Sequence, residues 1–99
     1  MEFTVAGFEW DQGNHAKCQK HGVSIAEIEG LFRNSPLVAP APNRLVSEDR
    51  MIAVGRTGEG RPIFVAFTLR TKVGGLLIRP ISARYMHAKE VKAYEKAVA

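Results

Sequence analysis

The run Ile63–Leu69 (IFVAFTL) constrains the fold more than any other part of the chain. Consecutive β-branched, aromatic and aliphatic residues of this kind favour a pleated, largely buried strand. Turn signals bound it on both sides, Thr57-Gly58-Glu59-Gly60 before it and Val73-Gly74-Gly75 after it. Beyond those turns lie two further β-type runs, Met51–Gly55 and Leu76–Ile81. Strands joined by short turns pair most simply as an antiparallel meander. In the central strand Ile63, Val65, Phe67 and Leu69 are expected to face the core, and Phe64, Ala66, Thr68 and Arg70 the other side. Arg79 lies between Leu77 and Ile81 on one face of the third strand, where a guanidinium is costly unless its head reaches water or an anion. The strand register, and with it any meeting of Arg70 and Arg79, is open at this level.

The first half of the chain reads differently. Glu2–Ala6 alternates well enough for a short strand. Asp11 can cap a helix running towards His21, with Gly22 as its stop. Ser24 and Glu27 form the S-x-x-E pattern of a capping box, opening a helix with Ile25, Ile28 and Phe32 on one face and Leu31 beside them. Asn34-Ser35-Pro36 ends it. Pro40-Ala41-Pro42-Asn43 reads as a loop or irregular edge strand, and Ser82 as the cap of a final helix from Ala83 to about Val98. The expectation is an α+β fold: a small antiparallel sheet with helices packed on one face and a C-terminal helix. At 99 residues one domain is expected over residues 1–99.

Charge is unevenly spread. The chain carries a net charge of +4, yet Arg50 to Arg84 alone holds seven bases against one acid, Glu59. Six of the seven bases are arginine, whose planar fork matches phosphate oxygens. Such clustering favours a polyanionic partner, nucleic acid or an acidic protein segment, over a surface charged only for solubility. No apolar run approaches the ~18 residues of a membrane span. Met1–Thr4 lacks the basic start of a signal peptide, and the one cysteine, Cys18, allows no intrachain disulfide; both fit a cytoplasmic protein. His15-x-x-Cys18-x-x-His21 has the look of a metal motif, but on a helix the three spread over a ~120° face. A tetrahedral site needs a further ligand, so no metal or other cofactor is expected. Trp10 reads as a core anchor before a base-stacking residue.

Several pieces in fixed order resemble a known family. Phe8-Glu9-Trp10-Asp11, Asn14, Lys17 and Lys20-His21-Gly22-Val23-Ser24 with Glu27 and Phe32 look like the N-terminal signature of BrnT toxins. Ser47-Glu48-Asp49-Arg50, Gly55, Gly60-Arg61, Thr68 and Arg70 continue it, and Ile78-Arg79-Pro80-Ile81-Ser82-Ala83-Arg84, Met86–Glu90 and Tyr94-Glu95 close it. The resemblance implies a RelE-like ribonuclease fold and the toxin half of a type II toxin–antitoxin pair in the bacterial cytoplasm. It implies a BrnA-like antitoxin that covers the basic face and supplies all DNA contact through its own ribbon-helix-helix region. One departure stands out. Many relatives carry a histidine just before the position of Ser47, where this chain has Leu45-Val46.

RNA cleavage without a metal needs a proton taken from the 2′-hydroxyl, fixed donors for charge on the phosphate, and a proton given to the 5′-oxygen. Arg61, Arg70, Arg79 and Arg84 are the candidates for charge, with Arg79 and Arg61 placed first as catalytic groups and Arg70 beside them. His21 and Glu48 are the candidate proton carriers. Against these roles stand a helix-terminal role for Lys20 and His21 and an ion pair of Glu48 with Arg50. Lys20, Arg50, Arg84 and His87 are expected to bind RNA. The alternative is a basic module that binds nucleic acid or an acidic antitoxin segment without chemistry.

Overall fold

The structure, a computed structural model, describes residues 5–40 and 50–98. The elements run β1 (Gly7–Phe8), α1 (Gln12–Cys18), α2 (Ile25–Arg33), β2 (Leu37–Pro40), β3 (Met51–Arg56), β4 (Pro62–Lys72), β5 (Gly75–Tyr85) and α3 (Ala88–Val98). They form an α+β fold around a five-stranded sheet in the order β1-β5-β4-β3-β2. The meander β3-β4-β5 is antiparallel as expected. The sheet as a whole is mixed, because β1 pairs parallel to β5 through Gly7↔Leu77 and Phe8↔Ile78. Two residues of parallel pairing leave no periodic trace in a sequence. The strand expected at Glu2–Ala6 falls mostly on residues 1–4, outside the described residues; Val5 and Ala6 are not part of a strand, though Ala6 N–H donates to Leu76 O just ahead of β1.

Both anticipated helix starts form. Asp11 caps α1 with Asn14 reciprocating, and Ser24 caps α2 with Glu27 reciprocating. The first helix is shorter than expected. It ends at Cys18, and Lys20 and His21 stand in the turn that Gly22 completes at φ +88°. The core lies between these two helices and one face of the sheet. Cys18, Val23, Ile28 and Leu31 meet Ala53, Ile63, Val65, Phe67, Ile78 and Ala83, all buried. Phe32 joins them edge-on to Phe67, with ring centroids 5.0 Å apart, and Trp10 packs against the cluster with its indole N–H donating to Glu29 (3.0 Å). Trp10 is thus the anchor its type suggests. Gly55 is needed where it sits, since a Cβ there would lie 2.9 Å from Leu31 Cδ1.

The C-terminal helix departs from expectation twice. Ser82 does not cap it. β5 continues to Tyr85, pairing Ser82, Ala83, Arg84 and Tyr85 with Ala66, Val65, Phe64 and Ile63. Ala83 is buried there, so strand pairing and burial outweigh a local capping signal. The second departure is the side on which α3 packs. Leu37, Val54 and Phe64 line an apolar groove with Met86, Ala93, Tyr94 and Ala97. Val54 and Phe64 are out of phase with the core residues Ala53 and Val65, so α3 covers the opposite face at one end of the sheet. The arrangement with all helices on one face is corrected to two on one face and α3 on the other.

Candidate functional site

The face away from α1 and α2, here the outer face, carries most of the arginines. Alternation along β4 puts Phe64, Ala66, Thr68 and Arg70 on it. In β5, Arg79 lies opposite Thr68 and Arg84 opposite Phe64. Arg79 and Arg84 are five residues apart, so strict alternation would put them on opposite faces. A bulge between the pairs Ala66↔Ser82 and Phe67↔Pro80 inserts Ile81 and brings them back into phase. Pro80 suits this place. It lacks the N–H that a strand neighbour would need, and its carbonyl is taken by the Asn14 side chain (2.9 Å). Arg50 stands one residue before Met51, in phase with Ile52 and Val54. Thr68 sits among these groups, 5% exposed, and its hydroxyl has no hydrogen-bond partner among the described residues.

Arg70 and Arg79 do meet. Together with Lys17 of α1 they line a cleft of about 330 Å³, completed by Gly13, Asn14, Pro80 and Ile81. Arg79 is fixed by two acids, Nη1 to Glu9 Oε1 at 3.2 Å and Nη2 to Asp11 Oδ2 at 2.8 Å. Lys72 takes the other oxygen of Glu9 at 2.9 Å. The Lys72 hydrogen bond, with help from Arg79, holds the Glu9 carboxyl below the ordinary carboxylate range. Asp11 is held low first by the Asn14 backbone N–H and then by Arg79. Arg79 itself is raised, chiefly by its hydrogen bond to Asp11. Lys17, Glu9, Asp11 and Lys72 were not among the site residues expected from sequence. The signal for Glu9, Asp11 and Lys17 was their presence in the motif pieces around Phe8–Lys17, where apolar periodicity does not explain them, and for Lys72 its place in the basic stretch Arg50–Arg84.

At the other end of the outer face Arg84 lies over the Phe64 ring, 4.6 Å from its centroid. Its fork closes on Glu90 of α3, both nitrogens 2.7 Å from the two carboxylate oxygens. Glu90 also accepts the His87 backbone N–H at 2.8 Å. These donors, Arg84 foremost, bring the Glu90 carboxyl down to about 2. His87 is exposed, with Nδ1 3.6 Å from Glu90. A second pair, Arg56 with Glu95 at 2.9 Å, ties β3 to α3.

The remaining expected residues lie elsewhere. Arg61 lies seven residues along the chain from Thr68, the strand partner of Arg79. It is in phase with Ile63 and stacks on Tyr85, its guanidinium carbon 3.6 Å from the ring centroid. Lys20 and His21 are exposed beside Gly22, whose carbonyl lies 3.3 Å from the Tyr85 hydroxyl. Arg61 and Arg79, the two arginines placed first from sequence, are thus set apart on the sheet. Glu48 lies outside the described residues. His15 bonds to Gln19 and Cys18 is buried, its thiol pushed up to about 11 by burial, so the His15–Cys18–His21 spacing builds no ligand cluster. Among the described residues no helix is long and apolar enough to cross a membrane.

The outer face is thus a guanidinium-rich surface on a rigid sheet, with a basic cleft at one end and a helix-covered arginine at the other. No curated protein matches the chain. The model of a family described as BrnT, the ribonuclease toxin of type II toxin–antitoxin systems, matches residues 10–90, from Trp10, between Glu9 and Asp11 in the chain, to Glu90 on Arg84. That description carries with it an RNA substrate and a protein antitoxin, and with most of its length matched the chain belongs to the BrnT family of ribonuclease toxins.

Proposed function

We propose that the chain is a metal-independent endoribonuclease, a single RelE-like domain that stops translation by cutting RNA laid across the outer face of its sheet. The observation that carries this reading is the common phase of Arg70, Arg79 and Arg84 on the face opposite α1 and α2. In the reaction the 2′-oxygen loses its proton and attacks the adjacent phosphorus. The bond to the 5′-oxygen breaks, leaving a 2′,3′-cyclic phosphate and, once protonated, a 5′-hydroxyl. Negative charge gathers on the non-bridging oxygens, where fixed guanidinium donors act with most effect. Arg84 and Arg70 are assigned to that charge, with Arg79 and Lys17 holding the neighbouring backbone and Arg50 leading into the face. His87, beside Arg84, and Glu48, on the segment before Arg50, are the assigned proton carriers. Lys20, His21 and Arg61 stand off this face and are assigned no step in the bond cleavage.

A BrnA-like antitoxin, acting in the bacterial cytoplasm, would cover the same arginines with acidic side chains and supply the DNA contact of the complex. The test uses purified chain, free of antitoxin, with RNA in EDTA. The expected products carry 5′-hydroxyl ends, and R70A and R84A each lower kcat/KM by roughly 10²-fold. Uncut RNA, naked and ribosome-bound, would sink the proposal. So would full activity in the R70A/R84A double variant. The ion pairs that occupy Arg79 and Arg84 favour a second reading, a module that binds RNA without cutting it. Its signature is binding that weakens steeply with salt while the RNA stays intact.

A further inference from the structure

Arg61 has a setting unlike that of Arg79 or Arg84. It makes no ion pair among the described residues; its guanidinium instead lies over Tyr85. Its backbone is clamped by buried Thr57, whose N–H donates to Arg61 O (2.8 Å) and whose hydroxyl accepts the Arg61 N–H (3.1 Å). Tyr85 is fixed in turn, its hydroxyl donating to Glu27 Oε1 at 2.8 Å. That carboxylate also accepts the Ser24 N–H of the α2 cap (2.9 Å). Burial opposes the charge on Glu27, but the Ser24 and Tyr85 donors and nearby Arg61 keep it below the ordinary carboxylate range. The result is a preformed stack, ring beneath and exposed guanidinium above.

A guanidinium plane backed by an aromatic ring is a surface on which an unpaired RNA base stacks. Two acids, Glu27 and Glu59, act electrostatically on Tyr85 alongside Arg61. These three charges sum to −1, unlike the arginine-rich outer face, a balance that disfavours a phosphate and suits a flat, uncharged base. Tyr85 follows Arg84 directly and points to the other side of the sheet. A strand of RNA passing Arg84 and leaving the sheet at the end of β5 meets Arg61 next.

We propose that Arg61 on Tyr85 is a stacking subsite for one unpaired base of the RNA, next to the arginine face and outside the cleavage chemistry. The inference rests on the outer face being where RNA lies. Its test uses short single-stranded RNA made uncleavable by 2′-O-methylation, with 2-aminopurine placed at each position in turn, and matched oligonucleotides abasic at the same positions. At one position the full chain should bind the base-bearing RNA about tenfold more tightly than the abasic one. R61A should remove that preference and leave affinity for the abasic RNA unchanged. Y85F, which keeps the ring, should retain it. Equal affinity for both RNAs at every position, a preference that survives R61A, or an equal loss for both RNAs in R61A, the mark of a phosphate contact, each overturn the subsite. Because the probe cannot be cut, failure of the ribonuclease reading shows only in the cleavage assay.

Discussion

Replacing Asn14 with alanine tests whether the cleft is held in place by a single amide. Asn14 is 5% exposed and its side chain is fully used. The amide nitrogen donates to Glu9 O and Pro80 O, each at 2.9 Å, and the amide oxygen accepts the Asp11 N–H at 2.7 Å. One residue thereby joins α1 to the end of β1 and to the bulge of β5. N14A removes all three bonds and strands a buried carbonyl at Pro80. Each lost bond is worth about 1 kcal/mol and an orphaned buried group up to ~3, so a loss of roughly 2–4 kcal/mol is expected. That is a large part of the ~5–15 kcal/mol of a domain this size. The melting temperature should fall by roughly 10–25 °C. Urea denaturation followed by circular dichroism measures it, with a lower midpoint and unchanged slope. N14D sharpens the test. A carboxylate aimed at two carbonyls cannot donate to either, so N14D should lose more than N14A at neutral pH and recover part of the loss in acid, once protonation restores one donor. Both variants within about 0.5 kcal/mol of the parent chain would refute the reasoning.

Other outcomes follow from the charged groups. Because the folded-state Glu90 carboxyl is lowered to about 2 from 4.5, its contribution to stability is present above 4.5 and lost as pH falls from there towards 2. Urea midpoints taken across that window should decline in the parent chain and less so in E90Q. The same substitution uncovers Arg84 and should tighten RNA binding at neutral pH, read by fluorescence anisotropy. R70A should reduce the slope of log affinity against log salt by about 0.7, one single-strand phosphate contact. Cys18, buried with its thiol raised to about 11, should resist a thiol reagent at pH 8 in the folded chain and react once urea unfolds it.

Much of the scaffold could be read from residues alone. Caps at Asp11 and Ser24 are local chemistry, and the β4 run with its glycine turns is local periodicity. What escaped was non-local. The two-residue β1 exists only because β5 lies beside it. Ser82 has the look of a cap until Ile63–Ala66 claims its neighbours for the sheet. For the site, the alternation in β4 correctly set Thr68 and Arg70 apart from the core. Arg61 was grouped with Arg79 because both lie in one basic stretch, yet Arg79 pairs with Thr68, seven residues along from Arg61, a span of roughly 23 Å. Tyr85 was read as part of a helix, so its stack with Arg61 could not be foreseen.

The single extra residue at Ile81 gives β5 an unusual relation to chain length. Substitutions along it change one side chain at a time. Deleting Ile81 would only remove the bulge: Arg79 and Arg84 would then lie four residues apart, and plain alternation would keep both on the outer face. A further insertion has no such absorber. It would slide the pairing by one residue, turning Arg84 into the core and Ala83 and Tyr85 out to solvent. The strand is therefore expected to tolerate the loss of one residue between Arg79 and Arg84 and to reject the gain of one.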